Sequence, residues 1–180
     1  MKAKLIVLAL LVFWGTSTQA QNNTLQNWQL NKTPKTGLKG FIEAGWGAGV
    51  NIYSDVPVSL LTTIGYQINH HLFVGLGSGE IVFTSQSVYS IPLYADFRYN
   101  VLKKAISPFV DTKIGYAISD LEGFYASPSV GVRFGTSINT ALTVSIGYEL
   151  QRADKEKILL YGYKSTEYIG GIIIKFGFDF

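Results

Sequence analysis

From Gly40 to Phe180, apolar side chains recur at every second position, with small, polar or charged residues between them. That is the period of a strand with two unlike faces rather than of a helix. The first segment places Ile42, Ala44, Trp46, Ala48 and Val50 on one face and Phe41, Glu43, Gly45, Gly47 and Gly49 on the other. The fourth sets Tyr89, Ile91, Leu93, Ala95, Phe97 and Tyr99 against Ser90, Pro92, Tyr94, Asp96 and Arg98. The sixth sets Ala126, Pro128, Val130, Val132 and Phe134 against Ser127, Ser129, Gly131 and Arg133. Similar runs include Val58 to Ile68, Leu72 to Gly77, Val110 to Ile118, Leu142 to Leu150 and Tyr168 to Phe180, so the pattern predicts eight strands.

No Asp, Glu, Lys, Arg or His falls on an apolar face. The opposite faces carry Glu43, Asp96, Arg98, Asp111, Lys113, Arg133, Glu149, Lys175 and Asp179, interleaved with Gly and Ser. A soluble barrel would turn its apolar faces inward and its charges to water. Here the charged face is also the one with small residues, which suits a crowded interior, and the apolar face suits lipid. An open sheet would leave its edge groups unpaired in hydrocarbon, so the sheet is expected to close. The expectation is an all-β chain: an eight-stranded antiparallel up-and-down transmembrane β-barrel over residues 40–180.

The connections carry the orientation. Those around Asn69-His70, Asn100 to Ser107 and Asn139-Thr140 read as tight or modest turns. Those at Asn51 to Pro57, Gly79 to Ser87, Ser119 to Gly123 and Arg152 to Thr166 read as mostly longer loops. Barrels of the outer membrane have short periplasmic turns and longer external loops, so both termini are expected in the periplasm. Tyr66, Phe97, Tyr99, Phe134, Phe178 and Phe180 then fall toward the periplasmic rim, and Tyr89, Tyr116, Tyr148 and Tyr168 toward the outer rim.

Residues 1–20 have a different character. Lys2 and Lys4 precede an apolar run from Leu5 to Trp14, and Thr18 and Ala20 supply the small residues of a cleavage site. This reads as a cleaved signal peptide, since the run is about half the roughly 20 residues a spanning helix requires. Residues 21–39, rich in Asn, Gln, Thr and Lys, read as a flexible leader. Composition agrees with a membrane barrel: 47% hydrophobic residues, 14% aromatic and only 15% charged. The absence of Cys excludes disulfides and thiolate chemistry. Without Lys2 and Lys4, 13 bases face 12 acids, too even a balance for a nucleic-acid partner.

The closing segment Gly170 to Phe180 places Ile172, Ile174, Phe176, Phe178 and Phe180 at alternate positions and ends on an aromatic ring. It resembles the C-terminal assembly signal of bacterial outer-membrane barrels. The chain as a whole is similar to the small eight-stranded members of the OmpA-barrel and OmpX kind, in the porin-like group of outer-membrane β-barrel domains. The resemblance implies the outer membrane of a Gram-negative bacterium, contact with outer-membrane lipid and lipopolysaccharide, and recognition by the barrel-assembly machinery. It brings no functional motif with it.

Candidate chemistry is sparse. The interior acids and bases are expected to neutralise one another as a salt-bridge plug, because an isolated buried charge is costly. An ion pathway is the less favoured reading. The glycines of Gly45 to Gly49 and Gly75 to Gly79 precede no helix, which excludes a phosphate loop. They are expected to make room for Arg, Lys and Tyr across the lumen. His70 and His71 point to opposite faces of an extended chain with no carboxylate near them in sequence, so no metal site and no cofactor is expected. They sit at the predicted periplasmic turn, far from Ser78, Glu80, Ser119 and Asp120, which leaves catalysis without an evident base. The loop at 152–166 combines Arg152, Lys155, Lys157 and Lys164 with Asp154, Glu156 and the run Ile158, Leu159, Leu160 and Tyr161; it reads first as a solvated hairpin extension and, as the alternative, as a surface for lipopolysaccharide or an extracellular partner. The function expected is structural, adhesive or concerned with envelope integrity. A barrel for small solutes or hydrophobic ligands is the alternative, and a lipid-modifying enzyme is less favoured.

Overall fold

A computed structural model describes residues 34–49, 56–83, 88–119, 122–137, 139–154 and 166–180. The expected signal peptide, most of the leader and the stretch 155–165 lie outside the described residues. The strands are β1 (Gly37–Gly49), β2 (Pro57–Gln67), β3 (Leu72–Phe83), β4 (Val88–Asn100), β5 (Ile106–Ser119), β6 (Gly123–Gly135), β7 (Ala141–Asp154) and β8 (Thr166–Asp179). They pair in sequence order as a closed barrel. The last strand closes on the first, antiparallel, from Phe41 opposite Asp179 to Gly49 opposite Gly171. Closure removes both sheet edges, as a wall in lipid requires.

The facing follows the sequence pattern strand by strand. Ile42, Trp46, Leu60, Ile64, Leu93, Ile114, Val130, Ile146, Ile174 and Phe176 stand exposed on the outer wall, while Glu43, Asp96, Arg98, Asp111, Lys113, Arg133, Glu149, Lys175 and Asp179 are buried inside. Exposed Leu, Ile and Phe around the whole circumference, with charge kept inside over the middle of the wall and Glu80 and Arg152 exposed only toward one rim, is the reverse of a water-soluble surface. Tyr66, Phe97, Tyr99, Phe134, Phe178 and Phe180 stand outward near one rim, and Tyr89, Tyr116 and Tyr148 near the other. The side chain of Tyr168 lies outside the described residues. Phe124 is also exposed on the outer wall, toward the rim of Tyr89 and Tyr116.

Three expectations need correction. The barrel begins at Gly37, ahead of Gly40, so Gly37 to Lys39 are wall rather than leader. The third strand runs on to Phe83: Gly79 and Glu80 read as turn residues, yet Ile81 packs inside, Val82 faces out, and both pair with β2. The connection after β3 is therefore 84–87, and that after β5 is only 120–122, no longer than the turns 68–71, 101–105 and 136–140 at the other end. Length asymmetry survives in 50–56 and 155–165 alone.

The turn end is tied by local hydrogen bonds. The Asn69 side-chain oxygen accepts from the backbone N–H groups of His71 and Leu72 at 2.8 and 2.9 Å, an Asx turn. Ser107 Oγ accepts from Leu102 N–H at 3.0 Å. Thr136 and Ser137 N–H both donate to the Thr140 carbonyl. Pro92 and Pro128 lie within strands and lack the N–H that a ladder uses. The β3–β4 pairing accordingly skips from Ser78–Leu93 to Ile81–Ser90, and the β6–β7 pairing from Ala126–Leu150 to Ser129–Gly147.

Candidate functional site: the barrel interior

The lumen is filled in three layers. Nearest the turn end, Arg98 lies between the rings of Phe41 and Phe109, at 4.2 and 4.7 Å from their centroids, and Phe41 meets Phe73 edge to face at 4.6 Å. A guanidinium is weakly hydrated and planar, so two aromatic faces make a low-cost enclosure for it. Arg133 Nε donates to Asp179 at 3.1 Å, and Arg98 reaches the same carboxylate at 3.7 Å.

The middle layer is a compact ion cluster. Arg98 Nη2 bonds Glu43 at 2.8 Å and Asp111 at 3.0 Å. Lys113 Nζ lies 2.8 Å from Glu43, 3.5 Å from Asp96 and 2.7 Å from Asp111. Carboxylate oxygens of Glu43, Asp96 and Asp111 come within 4.8 Å of one another, close enough to share a cation. The ammonium of Lys113 stands at that point, so the chain supplies the cation itself. Ser129 Oγ adds a hydrogen bond to Asp111 at 3.3 Å, and Lys175 donates to Ser127 Oγ at 2.6 Å.

The third layer, toward the far rim, is apolar with a few polar ties. Leu61, Ile81, Tyr94, Ala117 and Tyr125 pack together, with Phe83 against them. Tyr125 donates to Glu149 at 2.8 Å, Gln151 donates to Ser90 at 2.8 Å, and the Tyr94 and Thr63 hydroxyls meet at 3.1 Å. A file of water or ions would have to displace rings and aliphatic side chains that are buried here.

All nine charged residues expected inside are buried inside, but they do not form one uniform network. Glu43, Asp96, Arg98, Asp111 and Lys113 are joined directly, and Arg133 and Asp179 join through Arg98. Glu149 and Lys175 are held by hydroxyl groups, with no carboxylate–ammonium contact of their own among the described residues. Sequence reading missed Lys39, which is buried at the turn-end mouth and donates to the Asn139 carbonyl at 3.4 Å. With it the buried bases match the buried acids one for one among the described residues. Its odd-numbered position in phase with Phe41 and Glu43 was the available signal. The glycines make room for rings more than for charges: a Cβ on Gly75 would come within 2.7 Å of the Phe73 ring, and one on Gly131 within 2.7 Å of the Phe109 ring.

The histidines are used in the turn. His70 Nδ1 meets the Pro34 carbonyl at 2.8 Å, and His71 Nδ1 meets the Asn100 carbonyl at 2.6 Å while its ring stacks on Tyr99 at 5.5 Å. Ser78, Glu80 and Ser119 lie toward the opposite end; Asp120 is outside the described residues. In the closing strand, Ile172, Ile174, Phe176, Phe178 and Phe180 are all exposed outward. Phe180 exchanges backbone hydrogen bonds with Gly40 at 2.8 and 2.9 Å, and its ring stacks on Phe178 at 6.3 Å.

No protein-family model matches the sequence, and no curated protein matches it. Among solved structures, the chain is similar to Neisserial surface protein A, with a TM-score of 0.61 at 11% identity over 81% of this chain and 98% of that one. It is also similar to the N-terminal β-barrel domain of Pseudomonas aeruginosa OprF (TM-score 0.44, 16% identity, 79% and 99% covered) and to the outer membrane enzyme PagL (TM-score 0.47, 14% identity, 76% and 97% covered). With the closed topology, the apolar outer wall and the charged interior, the fold is that of the small eight-stranded membrane barrels.

Proposed function

We propose that this chain is a non-conducting barrel of the outer membrane, with a structural or adhesive role in the envelope. The observation that supports this reading is the filled lumen: an ion cluster joined at 2.7–3.5 Å around Lys113, closed on one side by Phe41, Phe73 and Phe109 and on the other by the Leu61–Tyr125 layer. An eight-stranded wall has room only for side chains, and here they occupy it. What remains free for work is the outer wall and the connections. On this reading the termini and the turns 68–71, 101–105 and 136–140 face the periplasm, and the connections 50–56, 84–87, 120–122 and 155–165 face outward. The last of these carries bases and an Ile-Leu-Leu-Tyr run suited to lipopolysaccharide or a protein partner.

Reconstitution in planar bilayers tests it. The expected result is no stable conductance step; discrete, reproducible steps would favour the transport reading instead. Phe180 and its alternate partners Phe178, Phe176, Ile174 and Ile172 would serve recognition by the assembly machinery.

A further inference from the structure

We propose that the turn end of the barrel carries a binding surface for the phosphate-bearing headgroup of an anionic phospholipid, formed by Lys35, Lys103 and Lys104 around two adjacent turns. Three observations carry this. First, the turn 68–71 is fastened to the end of β4, where the turn 101–105 begins: Asn100 N–H donates to the His71 carbonyl at 2.7 Å, and His71 Nδ1 meets the Asn100 carbonyl at 2.6 Å. The neighbouring His70 holds the Pro34 carbonyl at 2.8 Å, which brings Lys35 to the same side of the rim as the turn bearing Lys103 and Lys104. Second, these lysines are exposed, and none has a carboxylate within ion-pair distance among the described residues. Asp179, the acid on this end, is buried and engaged by Arg133, and β8 stands four strands from β4 around the wall. At the far end the described residues expose the acids Glu80 and Glu122 together with Arg152.

Third, the bases adjoin lipid-facing wall. Val101 and Leu102 directly precede Lys103, Ile106 follows Lys104 by two residues, and Leu38, 78% exposed, lies three residues beyond Lys35. Apolar side chains at the edge of the hydrocarbon, with ammonium groups on flexible stems just outside it, put positive charge at headgroup depth. A lipid surface fits this better than a soluble acidic partner because the patch is continuous with the apolar belt.

Spin-labelled phosphatidylglycerol and phosphatidylcholine, compared by electron paramagnetic resonance in vesicles containing the whole chain, test the surface. Vesicles of the same composition in both leaflets make the result independent of which way the barrel inserts, so it can fail while the orientation stands, and the reverse. The expected preference for phosphatidylglycerol is about fivefold for each lysine engaged. It should weaken in high salt and fall toward one in K35Q/K103Q/K104Q, while K103R/K104R retains it. Wild-type selectivity near one overturns the proposal, as does undiminished selectivity in the triple variant. Displacement of the labelled lipid by millimolar inorganic phosphate would assign the lysines to a free anion and overturn the lipid surface.

Discussion

Lys113 is the cation on which the middle of the barrel depends, and replacing it with Met tests the cluster most sharply. Glu43 and Asp111 would keep Arg98, at 2.8 and 3.0 Å. Asp96 would not: Lys113 at 3.5 Å is its one ion-pair partner among the described residues, and neither of its oxygens has a hydrogen bond there. The substitution therefore strands a fully buried carboxylate, and breaking a buried pair in this way costs about 3–5 kcal/mol. Adding Asp96→Asn removes the stranded charge, so Lys113→Met/Asp96→Asn should be more stable than Lys113→Met alone, with a coupling of about 1–3 kcal/mol. Lys113→Met/Thr136→Ala is the control, because the Thr136 side chain bonds Thr140 in its own turn and has no part in the ion cluster; its two losses should add to within about 0.5 kcal/mol. Urea unfolding in detergent or lipid vesicles, followed by tryptophan fluorescence, gives the midpoints, with Trp46 reporting from the outer wall. Additive losses for Lys113 and Asp96 would refute the pairing.

Three other outcomes follow from the same structure. Ile114→Arg, midway along β5 on the outer wall, should cost about 2–4 kcal/mol in the same unfolding assay, whereas Thr136→Arg in a turn should cost near zero; equal costs would reverse the facing. Unheated protein should migrate faster than boiled protein on a detergent gel, because every strand is paired on both sides; identical mobility would argue against closure. Deleting Phe180 removes both its ring and its backbone bonds to Gly40, while Phe180→Ala keeps the bonds. Fractionation should find both variants exported but poorly inserted, and insertion of Phe180→Ala at the level of Phe97→Ala would reduce Phe180 to a rim aromatic.

Strand number, facing and the identity of every buried charge but Lys39 among the described residues were legible in the sequence because side-chain period is a local property. Nothing nonlocal was needed to place Glu43 and Asp111 on the same side of the wall. Partners were another matter. The contact of Arg98 with Glu43 crosses the lumen, and its choice depends on barrel stagger, which residue alternation does not encode. Gly-Ser-Gly-Glu at 77–80 misled because its composition is that of a turn, while its backbone is paired throughout with β2. Lys39 was missed for a related reason: the polar run before it masked the phase it shares with Phe41. The apolar layer of Leu61, Ile81 and Tyr125 was divided among segments, and only closure brings these side chains together.

This barrel turns its apolar face to lipid and keeps the charge of its middle wall inside. The chain has no Cys, so single cysteines carrying a nitroxide can be placed at will. Along β7, labels at Leu142, Val144, Ile146 and Tyr148 in lipid vesicles should collide with oxygen and not with a water-soluble nickel chelate, while labels at Thr143 and Ser145 should meet neither. A chelate-accessible Ile146, or oxygen accessibility that peaks at Ser145, would contradict the account.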